Sequence, residues 1–165
     1  MKKYYKNVTN IWIRNKNKKV NKVIDQRYFK YNNKIYLVDK KNVILDYSKK
    51  EKEVAIWLVN TFGGIVKMIP RVNNPEGIKT PDYIFKNQKF DLKEIMGTSK
   101  RSIDDSIKNK KLQAQNFILD ISNTTLSIVE IKKQIDKIYK DPKRKWINVI
   151  ILKQDNNLLL VYKRK

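Results

Sequence analysis

The sequence contains no cysteine and no histidine, and each absence excludes a class of chemistry. Without cysteine, the chain can form no disulfide, no thiol nucleophile and no thiolate zinc site. Without histidine, it lacks the side chain that proteins use most often as a general base and as a transition-metal ligand. Any hydrolytic chemistry must therefore use carboxylates, lysine, tyrosine or a metal ion held by oxygen atoms.

Long apolar runs are also missing. No run approaches the roughly 20 residues that a membrane-spanning helix needs. Residues 1–20 are basic but contain no continuous apolar segment, so we expect no signal peptide. These absences predict no membrane partner and a cytoplasmic site of action.

Positive charge is present in large excess. Lys and Arg number 38 against 16 Asp and Glu, which gives a net charge of +22 at pH 7. Such a charge favours a polyanionic partner, because neutralising phosphates releases condensed counterions. A coding sequence rich in A and T would also raise the lysine and asparagine content without any function. An anionic membrane is less favoured, since no long basic amphipathic helix is predicted.

The length of 165 residues and the hydrophobic content of 41% fit one folded domain. Residues 1–20 form either a frayed arm or an additional packing segment. Three short apolar runs separated by turn signals follow, in residues 23–47, and predict a small antiparallel meander. We therefore divide the chain into a basic N-terminal segment with a meander, residues 1–47, and a single globular unit, residues 48–165.

The second part alternates helices and strands. Ser48 and Glu51 form a capping-box pattern, apolar residues follow at helical spacing, and Gly63-Gly64 ends the helix. Strands are predicted at 65–70, 81–85, 88–95 and 116–121, with a turn at Lys86-Asn87. Further helices are predicted at 102–115, capped by Ser102, and at 126–140, before a C-terminal hairpin around Asp155-Asn156. This order predicts an α/β fold with a mixed sheet flanked by helices.

Acidic side chains occur at the ends of two of these strands. Asp82 begins one strand, and two-residue alternation places Asp91 and Lys93 on one face of the next. Glu51 lies on the apolar stripe of the first helix, whereas Glu53 points away. Such carboxylates suit Mg²⁺, and a lysine beside them can stabilise charge that develops on a phosphate. The alternative is ordinary surface charge, with a turn cap at Asp82 and an exposed ion pair.

The pattern of Glu51, Pro81-Asp82 and Asp91-Leu92-Lys93 resembles the PD-(D/E)XK nuclease superfamily over about residues 48–121. More narrowly, residues 48–64, 79–95 and 100–121 resemble the C-terminal toxin domains of contact-dependent growth inhibition proteins. Phage and mobile elements carry related modules. Several members of the group are tRNA nucleases and others cut DNA, so the resemblance implies a metal-dependent endonuclease, delivered as a toxin.

The resemblance also implies roles for individual residues. The catalytic set would be Glu51, Asp82, Asp91, Lys93 and Gln113, which resembles a recurring glutamine on the second helix of such nucleases. The cofactor would be Mg²⁺ or Mn²⁺, held by Glu51, Asp82, Asp91 and the Leu92 carbonyl.

The expected partners are a nucleic acid, RNA before DNA, and an acidic immunity protein that complements the basic surface. Candidate phosphate contacts are Lys100, Arg101, Lys108 and Lys111, which could equally form solvated faces. A DNA endonuclease of a mobile element and a non-catalytic nucleic-acid-binding module remain alternatives. The sequence does not separate RNA from DNA, because backbone contacts carry no base identity.

Overall fold

The structure is a computed structural model that describes residues 3–165. Its strands are β1 (Tyr5–Asn7), β2 (Asn21–Asp25), β3 (Tyr28–Tyr31), β4 (Lys34–Leu37), β5 (Val43–Ile44), β6 (Gly64–Met68), β7 (Arg71–Val72), β8 (Tyr83–Phe85), β9 (Gln88–Glu94), β10 (Asn116–Asp120), β11 (Val149–Gln154) and β12 (Asn157–Arg164). Its helices are α1 (Thr9–Arg14), α2 (Lys49–Phe62), α3 (Ser102–Ile107) and α4 (Ile128–Lys140), with a short 3₁₀ helix at Pro142–Arg144.

The main sheet has eight strands and mixes parallel with antiparallel pairing, which confirms the predicted α/β fold class. The chain divides into two compact units. The first unit contains the segment through Trp12, Leu92–Lys111 and Gln115–Lys165; the second unit contains Ile13–Asp91 and Leu112–Ala114. Strand β9 therefore contributes its first four residues to the second unit and its last three to the first.

In the second unit the strand order is β2, β6, β8, β9. Strand β2 is parallel to β6, and the remaining pairs are antiparallel. The predicted N-terminal meander is therefore wrong, because only β3 and β4 form a hairpin, while β5 pairs with β7. A turn signal such as Asn32-Asn33 is enough to predict a local hairpin. A parallel pair needs a crossover connection, which includes α2 here, and no local signal in the sequence predicts that pairing.

Helix α2 is built as its sequence predicts. Ser48 Oγ accepts a hydrogen bond from the Glu51 amide, and the Glu51 carboxylate accepts one from the Ser48 amide, both at 3.1 Å. The apolar stripe of the helix is buried, from Val54 to Phe62. Gly63 ends the helix with φ +70°, and a Cβ at this position would meet Asn17 O at 2.0 Å. The capping box and the terminal glycine thus fix both ends of α2.

In the first unit the strand order is β9, β10, β11, β12, β1. Strands β10 and β11 are parallel, and β12 pairs antiparallel with both β11 and β1. Residues 5–7 thus form an edge strand, so this part of the N-terminal segment packs against the fold. Helix α4 buries Ile131, Ile135 and Ile138 in the apolar core of this unit.

Helix α3 differs from its prediction in length and in its cap. It ends at Ile107 rather than Gln115, because residues 108–111 are Lys-Asn-Lys-Lys and supply no apolar stripe to bury. Ser102 is the first helical residue, not the cap, and its hydroxyl donates to Ser99 O at 3.0 Å. The residue at the N-cap position, Arg101, makes no side-chain capping bond.

Candidate active site

Two aspartates come together at one end of the β8–β9 hairpin. The hairpin turns at Lys86-Asn87, where both residues have positive φ, as a two-residue turn requires. Its register pairs Tyr83 with Phe90. Continuing this register by one residue, beyond the last pair of the ladder, would place Asp82 opposite Asp91. Residues directly opposite in an antiparallel pair share a face, with Cβ atoms roughly 5 Å apart. Asp91 is only 2% exposed.

Glu51 reaches the same region from the first turn of α2. Its main-chain oxygen accepts a hydrogen bond from the Tyr83 hydroxyl at 2.7 Å, which ties the helix to β8. Its carboxylate faces Arg71 at 3.5 Å and is 18% exposed. Glu53 is 57% exposed and lies 3.9 Å from Lys49. Of the two glutamates, Glu51 is therefore the one that lies beside β8.

The pKa of the Tyr83 hydroxyl depends on its burial and on the charges near it. Tyr83 is fully buried, and its pKa lies well above the usual value, first because of burial and then because of the negative charges of Asp82, Glu51 and Asp91. The three acids predicted from the sequence thus all act electrostatically on one hydroxyl. Sequence reasoning missed Tyr83, because nothing in a Pro-Asp-Tyr run shows that the hydroxyl will reach the helix.

The three acids do not form a ready-made cage for a metal. Within residues 3–165, no three side chains of the His, Cys, Asp and Glu types are grouped as a metal site requires. Glu51 approaches the tyrosine from the helix side, and its carboxylate is bound to Ser48 and Arg71. Mg²⁺ needs less than such a cage, since it keeps several waters and takes one or two carboxylates. The facing pair of Asp82 and Asp91 meets that requirement.

Gln113 lies in a turn rather than on a helix. Its side-chain amide donates to Thr80 O at 3.5 Å, in the segment that leads into Pro81 and Asp82. The structure therefore brings Gln113 to the acidic region, although its predicted helical position is wrong. Leu92 and Lys93 follow Asp91 on β9 and are both partly buried. Strand alternation gives Lys93 the same face as Asp91.

The basic residues predicted to contact phosphate all lie in the first unit. Arg101 and Lys108 form exposed ion pairs with acids of α3, at 3.2 Å to Asp104 and 2.8 Å to Asp105. Lys100 and Arg101 also line a cavity of about 320 Å³ with Lys137. Lys111 is exposed in the turn after α3. These cations are accessible, and two of them already have acidic neighbours.

The sequence did not predict the buried ion pair between Asp120 and Lys153. Asp120 ends β10 at 2% exposure, with Lys153 Nζ 3.5 Å away and the Ser122 hydroxyl at 2.5 Å. Lys153 is 5% exposed and also donates to the main-chain oxygen of Asp155. A run such as Asn-Phe-Ile-Leu-Asp predicts a buried strand, but it does not show that a lysine from β11 neutralises its last residue.

No helix in residues 3–165 has the length and apolar character needed to cross a membrane.

Comparisons with known proteins found one matching family model and one similar solved structure. Residues 79–158 match the family model of the contact-dependent growth inhibition CdiA C-terminal domain. Asp82, Asp91, Lys93 and Gln113 fall inside the matched segment, and Glu51 falls outside it. No curated protein matches the chain.

A solved structure is also similar, the CdiA-CT/CdiI toxin and immunity complex from Burkholderia pseudomallei. The TM-score is 0.51 and the identity 27%, over 67% of this chain and 80% of the matched one. The segment that carries Asp82, Asp91, Lys93 and Gln113 is thus similar to the CdiA C-terminal domain, and the fold is shared with a chain of that toxin and immunity complex.

Proposed function

We propose that the protein is a toxin effector that hydrolyses phosphodiester bonds in RNA, with tRNA as its substrate and Mg²⁺ or Mn²⁺ as its cofactor. The observation that carries the proposal is the register of β8 and β9, which pairs Tyr83 with Phe90, together with the bond from Tyr83 to the first turn of α2. Continued by one residue, this register would set Asp82 opposite Asp91. The match to the CdiA C-terminal domain, which includes both aspartates, supports a toxin.

The donor set fits a hard cation. The available ligands are oxygens only, since the sequence has no histidine and no cysteine. Asp82 and Asp91 would hold the ion together with the Leu92 carbonyl, and Glu51 would add negative charge beside them. When bound, the cation supplies Lewis acidity toward a phosphate oxygen and lowers the pKa of water. Its charge would offset the crowding of carboxylates around Tyr83.

Lys93 and Gln113 would act on the substrate. Lys93 shares the face of Asp91, where its ammonium group would stabilise charge that develops on the phosphate in the transition state. The Gln113 amide, held near Thr80, would support the phosphate or orient the lysine. Tyr83 would position α2 through its bond to Glu51 O.

Substrate affinity would come from the basic surface. A protein with a net charge of +22 attracts a polyanion strongly and releases counterions on binding. Lys100, Arg101, Lys108 and Lys111 would supply phosphate contacts, which hold the backbone without reading the sequence. Affinity for tRNA should therefore fall steeply between low and moderate salt.

A toxin of this type requires a protective partner in the cell that makes it. The similar solved structure is a toxin and immunity complex, which supports an immunity protein for this chain as well. An acidic partner surface would complement the basic charge and speed association.

Incubation of the purified protein with total tRNA, rRNA and plasmid DNA, each with and without EDTA, tests the proposal. We expect tRNA cleavage that EDTA abolishes and Mg²⁺ restores. Full activity in EDTA would contradict the metal, and cleavage of plasmid alone would favour a DNA endonuclease. Binding of nucleic acid without any cleavage would identify a binding module.

Lys93→Ala tests the catalytic assignment within β9. The variant should lose cleavage by roughly two to three orders of magnitude, as expected when a group that stabilises transition-state charge is removed. Its affinity for tRNA should change little, because one of many cations is lost. The matched control is Lys89→Ala, an exposed lysine on the same strand, which should cleave like wild type. Equal activity of the two variants would remove Lys93 from the mechanism.

A further inference from the structure

A cavity of about 470 Å³ in the first unit shares no described lining residue with the candidate active site. It is formed by β1, the end of β12 and the last half of α4. Its volume falls within the range of small-ligand sites, roughly 300–1,000 Å³. No part of the proposed function uses it.

The charge around the cavity is strongly positive. The side chains of four lysines line it, Lys3, Lys6, Lys140 and Lys165, and the acidic side chain among the described lining residues is Asp136. That carboxylate already has two partners, since Lys140 Nζ lies 2.6 Å from one oxygen and the Tyr5 hydroxyl donates to the other at 3.0 Å. The other three lysines are thus a positive excess, which favours an anionic ligand.

The walls of the cavity are aromatic. Tyr5 stacks on Tyr139, with ring centroids 4.7 Å apart and an interplanar angle of 19°, and contacts Tyr162 at 4.9 Å. Burial and the hydrogen bond to Asp136 raise the pKa of Tyr5 to about 12, so this ring stays uncharged at neutral pH. Tyr4 lines the same cavity and is 38% exposed.

We propose that this cavity is a second nucleic-acid subsite, which takes one nucleotide of a single-stranded polynucleotide. Its base would stack on the exposed tyrosine surface, and its phosphate would contact Lys3 and Lys6. Aromatic rings beside lysines are the combination that single-stranded nucleic-acid sites use, because every base has a π-face and every linkage a negative charge. An acidic protein surface would use the lysines but leave the concave aromatic wall without a role. The subsite rests on the proposed function only in assuming a nucleic-acid substrate.

The affinity for single-stranded RNA can be measured without cleavage from the fluorescence anisotropy of a labelled RNA octamer in EDTA. Tyr4→Ala should raise the Kd by on the order of tenfold, the usual effect of losing one stacked base. The control Tyr31→Ala removes a tyrosine of similar exposure, 41%, from β3 and should leave the Kd near wild type. Lys6→Glu should likewise weaken binding more than Lys30→Glu, the same charge change on the β3–β4 hairpin. Circular dichroism confirms that each variant is folded.

Cross-linking locates the contact directly. RNA that contains 4-thiouridine should, on irradiation, label peptides that contain Tyr4 or Tyr162. Labels found only elsewhere, variants that bind like their controls, or a wild-type protein that binds no RNA would each overturn the subsite. The two proposals fail separately: labelled cavity peptides without any cleavage would support the subsite and refute the nuclease, and tRNA cleavage without labelling would do the reverse.

Discussion

The two most deeply buried aspartates of the protein lie in different units and have different acidic neighbours. Asp120, in the first unit, has a lysine and a hydroxyl beside it. Asp91, in the second unit, is equally buried at 2% exposure but lies in a region where two more acids act on Tyr83. Pairing a buried acid with a cation limits the cost of burial, whereas gathering like charges adds to it. The second arrangement is the kind that proteins keep for function rather than for stability.

A less deeply buried ion pair shows the same difference between the two units. Arg144 binds Asp104 through two contacts, at 2.6 and 2.9 Å, and this hydrogen-bonded pairing holds the pKa of Asp104 below its usual value. Around Tyr83, by contrast, burial and then the nearby acids raise the pKa of the hydroxyl. The Asp104 carboxylate thus anchors α3 to the segment after α4, whereas the acids near Tyr83 act on a buried hydroxyl.

The largest effect is expected for Asp91→Asn. The change removes one charge and almost no volume, so cleavage should fall by about a thousandfold or more, while the free energy of unfolding should fall less than in Asp120→Ala. Cleavage assays and urea unfolding of the same preparation measure both quantities. Asp105→Asn, at an exposed position of α3, is the control for loss of one negative charge. A loss of stability in Asp91→Asn as large as in Asp120→Ala would mean that the charge serves the fold, and the contrast with Asp120 would disappear.

Asp120→Ala should show the reverse behaviour. It leaves the ammonium group of Lys153 buried without its carboxylate, which typically costs about 3–5 kcal/mol of unfolding free energy. The double variant Asp120→Leu with Lys153→Met should recover much of that loss, because an apolar pair of similar volume replaces the ion pair. Urea unfolding compares the three proteins. If the single variant is as stable as wild type, the pair does not anchor the first unit.

The smallest effect concerns pH and the Asp104–Arg144 pair. Because folding lowers the pKa of Asp104, the pair stabilises the fold above the unfolded-state pKa, near about 3.9, and this contribution disappears as the pH falls through the lower folded-state value. Arg144→Gln should remove about 1–3 kcal/mol at pH 7 and much less at pH 2.5. Unfolding curves at both pH values test this. A difference that is equal at the two pH values would show that packing of the arginine, not its charge, matters.

Local signals were sufficient for the parts of the site that depend on neighbouring residues. The capping box predicted where α2 begins, so Glu51 could be placed in its first turn. The turn at Lys86-Asn87 predicted the β8–β9 hairpin, and strand alternation then oriented Asp91 and Lys93. These features depend on contacts between residues close in sequence, which composition and spacing encode directly.

Features that depend on distant contacts were not predictable. The parallel pairing of β2 with β6 joins segments that are separated by a hairpin and a helix, and no local sequence pattern predicts it. The bond from Tyr83 to Glu51 O, and the neutralisation of Asp120 by Lys153, likewise appear only after folding. Helix α3 is shorter than predicted, because the capping pattern at its start is not followed by an apolar stripe in the residues of the last two predicted turns.

The two-residue turn of the β8–β9 hairpin has a consequence for how such a protein can vary. A shift of one residue in the pairing would carry every side chain of one strand to the opposite face. Asp82 and Asp91 would then no longer meet, although both would still be present. The proposed mechanism gives Lys86 and Asn87 no contact with the substrate. A change in the length of their turn would nevertheless abolish the proposed activity, although it would hardly alter the amino-acid composition. Related chains should therefore tolerate substitutions there far better than insertions or deletions.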